Sequence, residues 1–296
     1  MNYCQKYDYV PQPQKIEAAI ARIAQNAASL ASPEVFKTCF SFMDLTTLHS
    51  NDTADSVRKL VGQVTALQKE YPAYPLPASV CVYPNFAAVV KAARPSAELH
   101  VTTVASCFPS AQSYLEVKVR ECELAVENGA DEIDIVLALG SFLAGDKESA
   151  AAEIRAMRKA IDEAGRKQGR KVILKVILET GLLASPENIA EASFLAMEEG
   201  ADFIKTSTGK VEVNATPTAA YVMCECIGRY YERTGRKVGF KAAGGISNAK
   251  DALVYYCIGK TVLGDAWMNK DSFRYGVSRL GNSLMSEIEQ KTVKFF

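Results

Sequence analysis

Two lysines stand where buried apolar strands would end. Lys205 follows Phe203-Ile204 in ADFIKTSTGK, and Lys241 follows Gly239-Phe240 in VGFKAAGG. An ammonium group is costly to bury, so its placement asks for a chemical reason. The two lysines lie one strand–helix unit apart, which puts them on neighbouring strands about 4.8 Å apart. Amines held about 6 Å from each other repel by about 2.8 kcal/mol at an effective dielectric of about 20. Added to partial burial, that repulsion brings one of the pair toward neutrality. A neutral lysine in a dry pocket is a nucleophile toward carbonyls. The competing reading is that each lysine snorkels to solvent or pairs with a carboxylate. Lys175, in ILKVILE, is a third lysine on the preceding strand. It either enriches the positive field or pairs with Glu179 or Asp134.

Imine chemistry also needs a proton carrier. In DEIDIVL, strand alternation puts Asp134 on the face opposite Ile133 and Ile135. An inward carboxylate there either relays protons beside Lys241 or Lys175, or forms a purely structural ion pair. Asp44, in FMDLTTL, either accepts a hydrogen bond from a substrate hydroxyl or caps the next segment. Glycine-bearing turns at TSTGK and AAGGIS, and the segment FRYGVSR, are places where freed backbone N–H groups hold phosphate. Gly209-Lys210 is no Walker loop, since Ile204 and Val211 stand where glycine and Ser or Thr would be needed.

Composition narrows the chemistry further. His49 and His100 are the only histidines, which excludes a histidine-rich zinc site, and neither sits beside a G-x-S-x-G turn. No metal and no cofactor is expected. Basic and acidic residues balance at 34 each, which argues against a nucleic-acid or membrane-surface partner. No apolar run approaches the roughly 18 residues of a spanning helix. The eight cysteines lack framework spacing and the leading residues lack a signal-peptide core, so the thiols read as reduced and the protein as cytoplasmic.

The elements that must position these residues alternate along the chain. Strands are predicted at 38–44, 79–84, 99–105, 131–137, 171–179, 202–207, 237–244 and 261–266, with helical patterns between them. Two of those patterns end in Gly-Ala just before the next strand, a helix C-cap. Eight such units predict a TIM (β/α)8 barrel over residues 1–296 as one domain, with an open doubly wound sheet as the competing architecture. Residues 1–37 read as an N-terminal helical extension. Its helix, 14–30, is expected at the barrel bottom, and a last helix follows Gly276. In a barrel the strand-end residues face one active-site mouth.

The segments FMDLTTL, GADEIDIV, LKVILETG, GADFIKTSTGKVEVNATP and VGFKAAGGI resemble the signature of the 2-deoxyribose-5-phosphate aldolase family, in order from about Ser41 to Ser278. The resemblance implies a metal-independent class I aldolase on a TIM barrel. Such an enzyme reversibly cleaves 2-deoxy-D-ribose 5-phosphate to D-glyceraldehyde 3-phosphate and acetaldehyde. It implies Lys205 as the Schiff-base lysine, Lys241 as the lysine that perturbs it, and Asp134 as the acid/base. Asp44 would contact a substrate hydroxyl, and Lys175 would support the site's field. Gly209, Lys210, Gly244, Gly245 and Ser278 would hold the phosphate, with Thr206 added to the substrate-binding set. Where the family pattern carries Ser-Ser, this chain carries Ser278-Arg279. Another imine-forming barrel aldolase acting on a different phosphorylated sugar, and a non-catalytic phosphosugar-binding barrel, are the alternatives. A homodimer is compatible with the sequence, which does not specify the oligomeric state.

Overall fold

The computed structural model describes residues 2–296. Eight parallel strands close in sequence order into a barrel, with β8 pairing back onto β1. They are β1 (Met43–Thr46), β2 (Ser79–Val82), β3 (His100–Val104), β4 (Glu132–Val136), β5 (Ile173–Ile177), β6 (Phe203–Lys205), β7 (Gly239–Ala243) and β8 (Phe273–Val277). Alternation sorts each strand into two faces. Val80, Ile133, Ile135, Leu174, Val176, Ile204 and Phe240 face outward and join the helices in the main apolar core. The opposite face carries Asp44, Glu132, Asp134, Lys175, Lys205, Lys241 and Arg274, all buried. Aliphatic side chains usually fill that interior; here seven buried charged side chains share it with smaller apolar clusters that include Cys81, Val104, Val136 and Ile177.

The connecting helices start where local chemistry dictates. Pro186–Glu198 and Pro217–Thr234 each open with proline after a Ser or Thr whose side chain accepts a backbone N–H, Ser185 and Thr216 respectively. Lys147–Lys167 is capped by Asp146. The expected Gly-Ala endings hold: Gly129 and Gly200 follow the helices Leu115–Glu127 and Pro186–Glu198 with positive φ.

Three expectations need correction. Residues 38–41 are the end of a helix, Pro33–Ser41, and β1 begins only at Met43. Ser32 caps that helix, Pro33 opens it, and Phe36, Cys39 and Phe40 recur at helical spacing on its buried side. The eighth strand is not 261–266: Thr261 to Leu263 finish the helix Ala249–Leu263, and FRYGV forms β8. The strand propensity of Thr-Val-Leu yields there to a continuous helical apolar face. The N-terminal helix runs Pro13–Ala27, with a 3-10 turn at Ala28–Leu30. It packs on the outer helices Pro217–Thr234 and Ala249–Leu263 rather than beneath the barrel.

On β7, Gly239 faces inward opposite Phe203, whose ring occupies the space a side chain would take. The guanidinium of Arg274 lies 5.7 Å from that ring. Gly239→Ala would force a methyl into the ring, and it is expected to destabilise the fold by about 1–3 kcal/mol. Urea unfolding measures this; a midpoint equal to the parent's would contradict the packing.

Candidate active site

Backbone register brings the chemistry-bearing residues together. Lys205 and Lys241 are paired positions on β6 and β7, and Asp134 and Lys175 are paired on β4 and β5. Asp134 is the hub. Its Oδ2 accepts from Lys205 Nζ at 2.9 Å and from Lys241 Nζ at 2.8 Å, while its Oδ1 accepts from Lys175 Nζ at 2.9 Å. Because both strand-end amines bond to one oxygen, their separation cannot exceed the sum of those two lengths. The close lysine pair expected from the sequence is therefore present, with a carboxylate between its members.

Deeper in the barrel the ladder continues. Lys241 bonds to Asp44 Oδ2, and Arg274 Nη1 reaches Asp44 Oδ1 at 2.5 Å. Arg274 Nη2 bonds to Glu132 Oε1 at 2.8 Å, and Lys175 bonds to Glu132 Oε2. Glu132 also meets His100 Nδ1 at 2.6 Å and accepts from Thr102 Oγ1 at 2.9 Å. Sequence reasoning missed Glu132 and Arg274. Glu132 was findable, since it lies two residues before Asp134 on the same strand face. Arg274 was hidden by the misplaced eighth strand. Lys175 pairs with Asp134 and Glu132, and Glu179 is not its partner.

The electrostatics divide the lysines. Burial works against the charge of every group here. For Lys175 and Lys241 the surrounding carboxylates outweigh burial and raise the ammonium pKa, Asp134 foremost. For Lys205 burial prevails over Asp134, and the Lys241 ammonium adds to it, so its pKa falls below the ordinary lysine value. Burial is thus a larger cause than the lysine–lysine repulsion on which the sequence argument leaned. Burial also opposes ionisation of Asp44, Glu132 and Asp134, yet the basic neighbours hold all three below the usual carboxylate range. Three carboxylates, Asp44, Glu132 and Asp134, thus face Lys175, Lys241 and Arg274, and Lys205 is held to Asp134 alone among them.

Lys205 alone of this ladder lines the cavity at the carboxyl-terminal mouth, a space of about 310 Å³. All five residues expected to hold phosphate, Gly209, Lys210, Gly244, Gly245 and Ser278, line it too. So do Thr46, His49, Thr208, Ser247 and Arg279. Among the described residues no carboxylate lines the cavity, and none comes within 4.0 Å of the Lys210 or Arg279 cations. Lys210 Nζ donates to the Leu48 carbonyl at 2.6 Å, which holds its charge at the rim. The mouth is therefore cationic, and at its floor lies the Lys205 amine, whose pKa burial lowers.

Two expected contacts are not at the cavity. Thr206 is fully buried, and its hydroxyl is engaged by the Ala243 main chain, donating to the carbonyl at 3.2 Å and accepting the amide at 3.0 Å. It ties β6 to β7 and does not face the mouth. Asp44 is fully buried beneath Lys241 and neither caps a helix nor lines the cavity.

Comparison with known proteins fits this geometry. Residues 38–256 match the model of the DeoC/LacD family aldolases. The chain is 42% identical to the deoxyribose-phosphate aldolase of Bos taurus over 84% of this chain and 78% of that protein. It is 41% identical to that of Homo sapiens, over 85% and 78%. The solved deoxyribose phosphate aldolase of Aeropyrum pernix, described as a tetramer, superposes with a TM-score of 0.66. At 24% identity, over 89% of this chain and 96% of that one, it supports the fold alone. A closed barrel, an amine at its mouth and a match across most of the sequence lead to one assignment: this chain belongs to the DeoC/LacD aldolase family.

Proposed function

We propose that this protein reversibly cleaves 2-deoxy-D-ribose 5-phosphate to D-glyceraldehyde 3-phosphate and acetaldehyde through an imine on Lys205. The observation that carries the reading is that Lys205 meets the cavity while sharing one Asp134 oxygen with Lys241. Family membership and the names of the relatives support the substrate. We take residues 1–296 as one working domain in the cytoplasm. Eight unpaired cysteines fit that compartment, and no helix among the described residues is long and apolar enough to cross a membrane. A homodimer is the assembly we favour; Tyr114, Val117 and Leu124 leave apolar surface exposed around one helix for such a contact.

In the proposed sequence, neutral Lys205 attacks C1 of the open-chain sugar and loss of water gives a protonated imine. That imine accepts the electron pair of the C2–C3 bond as it breaks. Asp134 and Lys241, which lie behind Lys205 and do not line the cavity, take the C3 hydroxyl proton through a relaying water, so that C3 becomes the aldehyde carbon of glyceraldehyde 3-phosphate. The acetaldehyde enamine is then protonated at C2, and water hydrolyses the imine to free Lys205. The cationic rim formed by Lys210, Arg279 and the turns at Gly209, Gly244-Gly245 and Ser278 holds the phosphate. Lys175 keeps Asp134 ionised from below, and Asp44 supports Lys241. Thr206 acts only by joining the strands.

Borohydride added with acetaldehyde should leave a reduced two-carbon adduct on the parent protein and none on Lys205→Ala, read by intact mass. No adduct, or one that survives the substitution, contradicts the assignment. Imine formation needs the unprotonated amine, so its rate rises with pH through the Lys205 pKa and then levels. Lys241→Leu removes a repelling charge and should move that rise to higher pH; an unmoved profile removes Lys241 from this role. The same change strips Asp44 and Asp134 of a partner, and a stability loss of about 3–5 kcal/mol is expected in denaturant titration. Lys210→Ala should raise KM for the phosphorylated sugar about tenfold, as loss of a charge-assisted contact does. A KM equal to the parent's would place the phosphate elsewhere.

A further inference from the structure

Glu179 lies outside the ionic ladder, yet it is buried, 3% exposed, at the end of β5. Among the described residues no cation comes within 4.0 Å of its carboxylate. Its backbone is left-handed, φ 58° and ψ 60°, a conformation that a residue with a Cβ adopts only at a cost. An unpaired buried carboxylate on strained backbone is doubly expensive, and its partners show what it does. Its two oxygens accept from the backbone N–H of Thr208 at 3.2 Å and from the Thr208 hydroxyl at 2.5 Å. With its single proton committed to Glu179, the Thr208 hydroxyl turns a lone pair to Lys210 and accepts that backbone N–H at 3.1 Å. A carboxylate only accepts, so it fixes the direction of every bond in this chain.

Other contacts brace the same two loops. Thr180 N donates to the Thr206 carbonyl at 2.9 Å. At Gly181 a side chain would overlap the Val213 carbonyl, so the loop after β5 lies directly against the loop after β6. That second loop supports the third: a Cβ at Gly244 would sit 2.6 Å from Asn214 Cβ. The three loops at the mouth are stacked, and Glu179 is the buried carboxylate among them.

We infer that Glu179 is a positioning residue that sets the Thr208–Lys210 turn for the substrate's phosphate. This rests on the reading of that turn as the phosphate site. It makes Glu179 a determinant of preference for phosphorylated over unphosphorylated sugar, acting through Thr208 without touching substrate.

The experiment compares kcat and KM for 2-deoxyribose 5-phosphate and for 2-deoxyribose in the parent, Glu179→Gln and Glu179→Asn. Glutamine places an N–H where Thr208 needs an acceptor. Asparagine accepts the left-handed conformation readily, so it folds without strain, but its shorter arm does not span to Thr208. In both variants KM for the phosphorylated sugar should rise about tenfold, the loss expected of a disrupted charged hydrogen bond. The preference for phosphate should fall with it. Should Glu179→Gln melt before assay, Glu179→Asn decides. An equal loss on both sugars means a merely structural role and overturns the inference. A parent that prefers phosphate, with variants that keep the full preference, overturns the inference alone. A parent indifferent to phosphate overturns it together with the reading beneath it.

Discussion

The barrel depends on one carboxylate being shared. Asp134 gathers three lysines from β5, β6 and β7, and among the described residues no other carboxylate pairs with all three. Buried charges are tolerated only when paired and hydrogen-bonded. Lys175 and Lys241 each answer to two or more carboxylates, whereas Lys205 answers to Asp134 alone. The amine with the weakest claim on an anion is also the one beside the cavity. Its lowered pKa follows from burial together with that unequal division.

The same division separates stability from chemistry. Asp44, Glu132, Lys175, Lys241 and Arg274 form a connected ionic set inside the barrel, joined to Asp134 through the two lysines, with the apolar layer between strands and helices around it. Among the described residues the cavity above is lined by cations, backbone and polar groups and by no carboxylate. Because the folded-state pKa values of Asp44, Glu132 and Asp134 lie below their ordinary ones, their contribution is present above the ordinary carboxylate range. It is lost as pH falls through the folded values.

Much of this was legible in the residues. Eight apolar strand patterns alternating with helical ones led to the barrel, and strand-end lysines one unit apart led to the close amine pair. What escaped had physical causes. Thr-Val-Leu reads as strand by local propensity but continues a helix whose apolar face decides the matter, and this hid Arg274 on the true β8. Pro33–Ser41 carried clear helix-start signals that were outweighed by a run of apolar residues. Thr206 follows Lys205 in sequence, yet alternation turns its side chain away from the mouth, into the Ala243 main chain. The dominance of burial over lysine–lysine repulsion at Lys205 depends on three-dimensional enclosure, which spacing alone does not reveal.

The central claim is that Lys205 loses its proton more easily than an ordinary lysine while Lys241, bonded to the same oxygen, holds its own more tightly. Carbon-13 NMR titration of the lysine side-chain carbon next to Nζ, assigned with the Lys205→Ala protein, reads both groups directly. The account requires one resonance, absent from Lys205→Ala, that titrates below the reference value of 10.5, and a Lys241 resonance that stays in its charged position as that first group deprotonates. A Lys205 that titrates with the surface lysines, or a Lys241 that deprotonates first, would contradict it.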